Sequence, residues 1–149
     1  MNKKVVLIVD DEPANINLVA EILHNLYEIR IATNGMMALG MIEKAKPNLI
    51  LLDINMPQMN GYEVAAKLKS SKETTSIPFI FLTAKSDAQS IVEGFKHGAV
   101  DYISKPFSKE ELLARVETHL KLNELQTSLN DTANELASYV EIMDQNINF

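Results

Sequence analysis

The sequence of 149 residues contains no cysteine and no tryptophan. Without cysteine, the chain can form neither a disulfide framework nor a thiolate metal site. Long apolar runs are also missing, and none approaches the roughly 20 residues of a transmembrane helix. The N-terminal run VVLIV is too short for a signal peptide and leads directly into acidic residues. These absences favour a cytoplasmic protein without a membrane segment, and the length suits one domain with an appendage.

Basic residues are outnumbered, with 14 Lys and Arg against 20 Asp and Glu and a formal net charge of -6. An acidic balance disfavours nonspecific binding to nucleic acid or to a membrane surface. We therefore expect neither as a partner of this chain. The same balance is compatible with a pocket that binds a cation.

Short apolar runs alternate along the chain with apolar residues at helical spacing. We predict strands over residues 5–9, 27–32, 48–52, 78–82 and 100–103. Helices are predicted from Pro13, from Gly35, over residues 61–70, around Ile91 and from Ser108. Ser108 is the predicted N-cap of the last helix, and Glu111 completes a capping box. This alternation predicts an α/β fold of five βα units with a doubly wound parallel sheet.

Acidic side chains stand where the first and third predicted strands end. Asp10 and Asp11 follow the first strand, and Asp53 follows the third. Ligands of open parallel sheets bind beyond the carboxyl ends of the strands, so we expect these three carboxylates to converge. Their mutual repulsion favours a hard divalent cation, and Mg²⁺ prefers such oxygen ligands. No histidine or cysteine lies near these strand ends, which argues against zinc.

The fourth and fifth predicted strands add complementary groups at the same edge. Thr83 offers a hydroxyl and Ala84 a backbone N–H, and Lys105 brings an ammonium aimed by the turn at Pro106. A carboxylate nucleophile, a metal, an ammonium and a hydroxyl suit the transfer of a phosphoryl group onto Asp53.

These residues lie in the motifs VDDEP, LLDINMPQMNG, FLTA and ISKPF. In their order and placement, over about residues 3–122, the sequence resembles the receiver domain of two-component response regulators. The resemblance implies a flavodoxin-like (βα)5 fold with strand order 2-1-3-4-5. It also implies a receiver domain over residues 1–121 and a helical extension over residues 122–149, with an extended C-terminal helix.

The resemblance assigns roles at the acidic cluster. It implies that Asp53 is the phosphoacceptor and that Mg²⁺, with Mn²⁺ able to replace it, is the cofactor. Asp11, Asp53 and the backbone carbonyl of Asn55 are the implied direct metal ligands, and Asp10 acts through a water. Asn55 and Lys85 occupy positions that modulate dephosphorylation in the family.

The resemblance also implies a donor, a switch and a mode of action. The phosphoryl group comes from a sensor histidine kinase or a histidine phosphotransfer protein. Lys105 pairs with Asp53 and later with the phosphoryl group, while Thr83 and Tyr102 form the switch pair. The protein is then not an enzyme with a separate substrate, but a phosphoacceptor that promotes its own phosphorylation and dephosphorylation in the cytoplasm. The change of conformation or dimerisation controls an output.

Three other functions are compatible with parts of the pattern. A haloacid-dehalogenase-like phosphatase also uses an aspartate nucleophile with Mg²⁺, but it needs a second Asp where this chain has Asn55. A flavodoxin-like cofactor binder needs a phosphate loop after the first strand, where DDEPAN would repel a phosphate. A DNA-binding regulator needs a larger and less acidic tail than this one.

The tail after Phe107 has no glycine and no proline. Mostly apolar residues recur there at steps of three and four, as in a heptad seam, although two of its d-like positions are polar. The seam comprises Leu122, Leu125, Leu129, Thr132, Leu136, Tyr139, Met143 and Asn146, and Ala133, Val140 and Ile147 widen it. Two interpretations stay open: a helix that folds back on its own domain, or a parallel dimeric coiled coil acting as a linker. A stand-alone receiver and a fragment of a longer protein are both compatible with this tail.

Overall fold

The computed structural model describes residues 2–84 and 88–147, with side chains described as far as Gln145. In chain order the elements are β1 (Val5–Val9), α1 (Pro13–Leu23), β2 (Glu28–Ala32), α2 (Gly35–Lys44), β3 (Leu49–Asp53), α3 (Gly61–Lys69), β4 (Phe79–Thr83), α4 (Ala88–Lys96), β5 (Asp101–Ser104) and α5 (Lys109–Ile147). Every predicted strand and helix is present. The last four strands begin one residue later than the apolar pattern predicts, because the residue before each of them belongs to the connecting loop.

The five strands form one parallel sheet in the order β2-β1-β3-β4-β5, which confirms the predicted flavodoxin-like topology. β3 and β4 are buried along their whole lengths, as expected of central strands that are covered on both faces. The register pairs Val9 with Leu52, Asp53 with Leu82 and Thr83 with Ser104. The carboxyl ends of four strands therefore lie at one edge, next to each other.

Successive strand residues point to opposite faces of the sheet and contribute to two hydrophobic layers. Leu7, Ile50 and Phe79 face one layer, whereas Val6, Leu51 and Ile80 face the other. The first layer is completed by α2 and α3 through Ala38, Ile42, Val64 and Leu68. The second is completed by α1 and α5 through Ile16, Val19, Leu23, Leu112, Val116 and Leu120. Both faces of the central strands are thus buried, and their polar side chains, Asp53 and Thr83, lie at the strand ends.

Helix capping agrees only in part with the sequence prediction. The Ser108 Oγ accepts a hydrogen bond from the Glu111 N–H at 3.3 Å, as predicted for an N-cap. The Glu111 carboxylate, however, accepts a hydrogen bond from Arg115 Nε at 3.1 Å, so the predicted capping box is only half formed. A complete capping box lies instead at the start of α3, between Asn60 and Glu63.

α5 continues as one helix of 39 residues, about 60 Å long. Its first part packs on the sheet as far as Leu120, and the Asn123 side chain makes a hydrogen bond of 3.3 Å to the Ser76 carbonyl. Beyond Asn123 every described side chain is exposed. The helix therefore does not fold back on its own domain. No helix among the described residues is long and apolar enough to span a membrane.

Candidate functional site

The predicted acidic cluster is assembled at the ends of β1 and β3. Because these strands are neighbours in the sheet, Asp10, Asp11 and Asp53 come together although the chain separates them. One carboxylate oxygen from each lies within 4.8 Å of the other two. Asp10 and Asp53 are 0% and 3% exposed, whereas Asp11 lies at the surface. Two buried carboxylates and one exposed carboxylate form an oxygen site that is open to solvent on one side.

Lys105 reaches this cluster from the end of β5. Its Nζ lies 3.0 Å from Asp53 Oδ1 and 3.5 Å from Asp10 Oδ2. The Lys105 N–H also donates to the Thr83 carbonyl at 2.8 Å, and the bond to Pro106 is cis. The hydrogen bond to Thr83 extends the pairing of β5 with β4 by one residue, and the lysine side chain crosses the carboxyl ends of the strands to reach Asp53 and Asp10.

Electrostatics set the charge state of the two central groups. The pKa of Asp53 rises from 3.8 to about 6, because burial first and the charge of Asp10 second outweigh the opposing effects of Lys105 and the N–H of Asn55. Burial alone would lower the pKa of Lys105, but its contacts with Asp53 and Asp10 raise the pKa above the usual value. Lys105 therefore stays an ammonium. One ammonium faces three carboxylates, and this excess negative charge suits a divalent cation.

A cleft of about 460 Å³ opens above the cluster. Its lining residues are Asp11, Glu12, Pro13, Asp53, Asn55, Ala84 and Lys105. Thr83 ends β4 beside it and is 4% exposed. Five of the predicted site residues thus line one opening, namely Asp11, Asp53, Asn55, Ala84 and Lys105. Lys85, the other predicted modulator besides Asn55, lies outside the described residues.

Position 61 requires a glycine, and the sequence alone did not indicate this. A Cβ on Gly61 would lie 2.5 Å from the carbonyl oxygen of Asp53 and 2.8 Å from Cα of Ile54. The Gly61 N–H also donates to the Ile54 carbonyl at 2.8 Å. The loop after β3 therefore folds back tightly against the backbone of Asp53, and only glycine leaves room for this contact. A glycine at the start of a helix gives no such signal in a single sequence.

Tyr102, the predicted second member of the switch pair, is half-buried on β5. Its ring lies edge-on to Phe95 of α4, with 6.3 Å between ring centroids, and Arg115 Cζ lies 5.9 Å from its centroid. In the register Tyr102 pairs with Phe81, two residues before the end of β4. Tyr102 is thus set back from the acidic cluster, between the sheet and two helices.

A second charged cluster, which the sequence analysis also missed, lies next to Tyr102. Asp101 accepts hydrogen bonds from Arg115 Nη1 at 2.7 Å to each carboxylate oxygen, and His119 Nε2 lies 2.9 Å from Asp101 Oδ2. Burial acts to raise the pKa of Asp101, but the hydrogen bonds from His119 and Arg115 hold it below the usual value. These contacts hold the start of β5 against the first part of α5, at Arg115 and His119.

Comparison with known proteins identifies the family. The sequence model of the response regulator receiver domain matches residues 6–117. The chain belongs to this family. It therefore has the phosphoacceptor signalling function of receiver domains, which confirms the prediction from the sequence motifs. The match decides against the phosphatase alternative, for which Asn55 already lacked the second carboxyl group. Receiver domains bind Mg²⁺ at an acidic pocket, take phosphoryl groups from histidine kinases and are not enzymes in the ordinary sense.

Individual relatives agree with this assignment. The receiver is 46% identical over 116 residues to a probable cyclic di-GMP phosphodiesterase of Vibrio cholerae, and the match covers 78% of this chain and 26% of that protein. It is 43% identical over 119 residues to the phosphate regulon regulator PhoB of Pseudomonas aeruginosa, covering 79% of this chain and 52% of PhoB. The chain thus spans about half or less of these curated relatives.

Among solved structures, a putative response regulator from Chloroflexus aurantiacus superposes with a TM-score of 0.78 at 33% identity. The superposition covers 80% of this chain and 99% of that one. The likeness thus accounts for nearly all of the smaller protein and leaves about a fifth of this chain unmatched.

Proposed function

We propose that Asp53 is the phosphoacceptor and that the donor is a phosphohistidine on a sensor histidine kinase or a histidine phosphotransfer protein. An oxygen of the Asp53 carboxylate attacks the phosphorus atom, the P–N bond of the donor breaks, and its electron pair returns to the imidazole nitrogen. The donor docks near α1, beside the opening of the cleft. The observation that carries this proposal is the buried Asp53 carboxylate held 3.0 Å from Lys105 Nζ within the acidic cluster.

We propose that Asp11, Asp53 and the backbone carbonyl of Asn55 ligate Mg²⁺ directly, and that Asp10 acts through a water. Mn²⁺ has a similar preference for oxygen ligands and is expected to substitute. The carboxylate oxygens within 4.8 Å of one another support this assignment. When bound, the cation offsets the repulsion among the acids and stabilises the charge of the transferred phosphoryl group.

The phosphoryl oxygens are then held by the Lys105 ammonium, the Thr83 hydroxyl and the Ala84 N–H. We further propose that Thr83 turns toward the phosphoryl group and that Tyr102 rotates inward into the vacated space. Burial of Thr83 at the end of β4 and the half-buried position of Tyr102 on β5 support this pairing. The reaction is the phosphorylation and dephosphorylation of the domain itself.

We propose that residues 1–121 form the receiver domain and that residues 122–149 form a helical extension acting as a coiled-coil linker. The exposed C-terminal helix is the proposed contact of a homodimer. The protein is proposed to act in the cytoplasm, where phosphorylation changes its conformation or dimerisation and thereby controls an output.

Phosphorylation of Asp53 can be measured with acetyl phosphate and Mg²⁺ by intact mass spectrometry followed by peptide mapping. We expect an adduct on the wild-type chain that is absent in Asp53→Asn and in the presence of EDTA. Asp131→Asn, which makes the same change of charge on the exposed tail, should be labelled like the wild type. An adduct of unchanged yield in Asp53→Asn would exclude Asp53 as the acceptor.

Lys105→Ala distinguishes the role of the ammonium from that of the metal site in the same assay. The variant keeps all the proposed metal ligands, so Mg²⁺ binding should persist. The response of the domain to acetyl phosphate, followed by Tyr fluorescence, should be largely lost. A normal response would show that Lys105 does not sense the phosphoryl group.

A further inference from the structure

The C-terminal half of α5 carries an apolar surface that nothing in the described part of the chain covers. Leu122, Leu125, Leu129, Leu136, Tyr139 and Met143 are between 48% and 70% exposed. A single helix with one apolar stripe gains little stability in water unless that stripe is packed against another element. We call these six residues, together with Thr132, the tail seam. Its length and exposure require an explanation beyond the receiver domain.

The spacing of the tail seam favours another helix as its partner. Its members follow steps of three and four from Leu122 to Met143, which assigns Leu122, Leu129, Leu136 and Met143 to a positions of a heptad and the others to d positions. A regular 3.5-residue repeat keeps one seam turned toward a supercoiled helix, whereas the surface of a globular partner imposes no such repeat.

The placement of charges on the tail is compatible with a second copy as the partner helix. From residue 122 to residue 147 the tail contains five acidic residues and no basic one. Four of the acids, Glu124, Asp131, Glu141 and Asp144, occupy outward positions of the heptad, so a second copy brings none of them into the interface. The fifth, Glu135, is at a g position, where a parallel copy presents the uncharged Val140. When two copies pair, no two like charges therefore face each other at the e and g positions beside the seam.

The position of Thr132 favours a parallel arrangement in register. In that arrangement each leucine of the seam meets the same leucine of the second copy, and Thr132 meets Thr132. In an antiparallel pair centred on the tail, Thr132 instead meets Leu136, and Leu129 meets Tyr139. The parallel pair keeps the polar layer separate from the leucine layers, which is how polar core positions specify register.

We propose that the tail seam pairs with that of a second copy as a parallel, in-register, two-stranded coiled coil. This inference rests on the homodimer proposed above and specifies its arrangement. Both receiver domains then stand at the same end of the coiled coil, and the two C-terminal ends of α5 leave it side by side. The pair is formed by residues remote from the acidic cluster, so substitutions in the tail seam leave the residues of that cluster unchanged.

Sedimentation equilibrium of the full chain tests the pairing. We expect twice the monomer mass for the wild type and the monomer mass for the double variant Leu129→Glu/Leu136→Glu. The matched control Asn130→Glu/Asn134→Glu adds the same charge at outward positions and should remain dimeric. A monomeric wild type, or a seam variant that dimerises as well as the control, would overturn the proposal. Labelling of Asp53 by acetyl phosphate in the seam variant shows separately whether the receiver function stands.

Cysteine crosslinking tests the orientation cleanly, because the natural chain has no cysteine. Under mild oxidation, Thr132→Cys should form a covalent dimer with itself in high yield. Asn134→Cys, at an outward position, should not crosslink. Failure of Thr132→Cys to crosslink alone, with efficient crosslinking in a mixture of Thr132→Cys and Leu136→Cys, would identify an antiparallel pair and overturn the parallel arrangement.

Discussion

Replacing Asp53 with asparagine should stabilise the cation-free protein at neutral and alkaline pH. The Asp53 carboxyl is 3% exposed and adjoins Asp10, and its pKa rises from 3.8 to about 6 on folding. Folding therefore disfavours the ionised form of this group. Asparagine has nearly the same shape and carries no charge, so the variant removes this cost while it leaves the packing in place.

The sign and size of the effect follow from proton linkage. Below the pKa of the unfolded chain the carboxyl is protonated in both states, and it costs nothing. Between that pKa and about 6 the unfolded chain loses the proton first, so the wild type loses stability as the pH rises. Above about 6 the loss is complete. A difference of about two pKa units corresponds to at most about 3 kcal/mol.

Urea denaturation followed by circular dichroism measures the effect in EDTA at about pH 4 and about pH 8. Asp53→Asn should exceed the wild type by on the order of 1–3 kcal/mol at the higher pH and by little at the lower one. Added Mg²⁺ should then stabilise the wild type more than the variant. Asp131→Asn on the exposed tail should show neither effect. If the gap between Asp53→Asn and wild type were equal at both pH values, the argument from burial and repulsion would be refuted.

Two further predictions concern features outside the acidic cluster. Gly61→Ala should lose roughly 1–3 kcal/mol of stability, because the new Cβ would collide with backbone, whereas Gly40→Ala, with nothing within 4 Å, should be neutral or stabilising by about 0.5–1 kcal/mol. Equal urea midpoints for the two would contradict the close approach. Asp101→Asn should cost about 1–2 kcal/mol at neutral pH, allowing for the partial exposure of Arg115. Because Arg115 and His119 lower the pKa of Asp101, this contribution should vanish in acid as Asp101 becomes protonated, and a loss independent of pH would argue against it.

The fold and the convergence of the site could be predicted because they depend on periodicity and on a general property of parallel sheets. Each strand is a short apolar run, and each run is followed by a polar residue such as Asp53 or Thr83. In a parallel sheet the carboxyl ends of the strands lie at one edge. The order of polar groups along the chain was therefore enough to place them together in space.

Other features depend on distances that no periodicity encodes. The close approach of Gly61 to Asp53 depends on how the loop after β3 folds, and the pKa of Asp53 depends on how deeply that carboxyl is buried. Glu111 satisfied the spacing of a capping box but pairs with Arg115, because a cation one turn away competes for its carboxylate. Heptad spacing predicted the tail helix but could not decide whether it folds back, since an intramolecular groove and a second copy select the same residues.

Strand β5 connects the acceptor site to the long helix. Lys105, which directly follows the strand, contacts Asp53, and Asp101, which begins it, is held by Arg115 and His119 of α5. The strand between them is only four residues long, about 13 Å, and is paired to β4 throughout. Because β5 is short and held by ion pairs at both ends, a shift of Lys105 would also displace Asp101 relative to Arg115 and His119. The ion pairs at its two ends and the pairing to β4 therefore link the Asp53 site to the first part of α5, from which the tail seam continues.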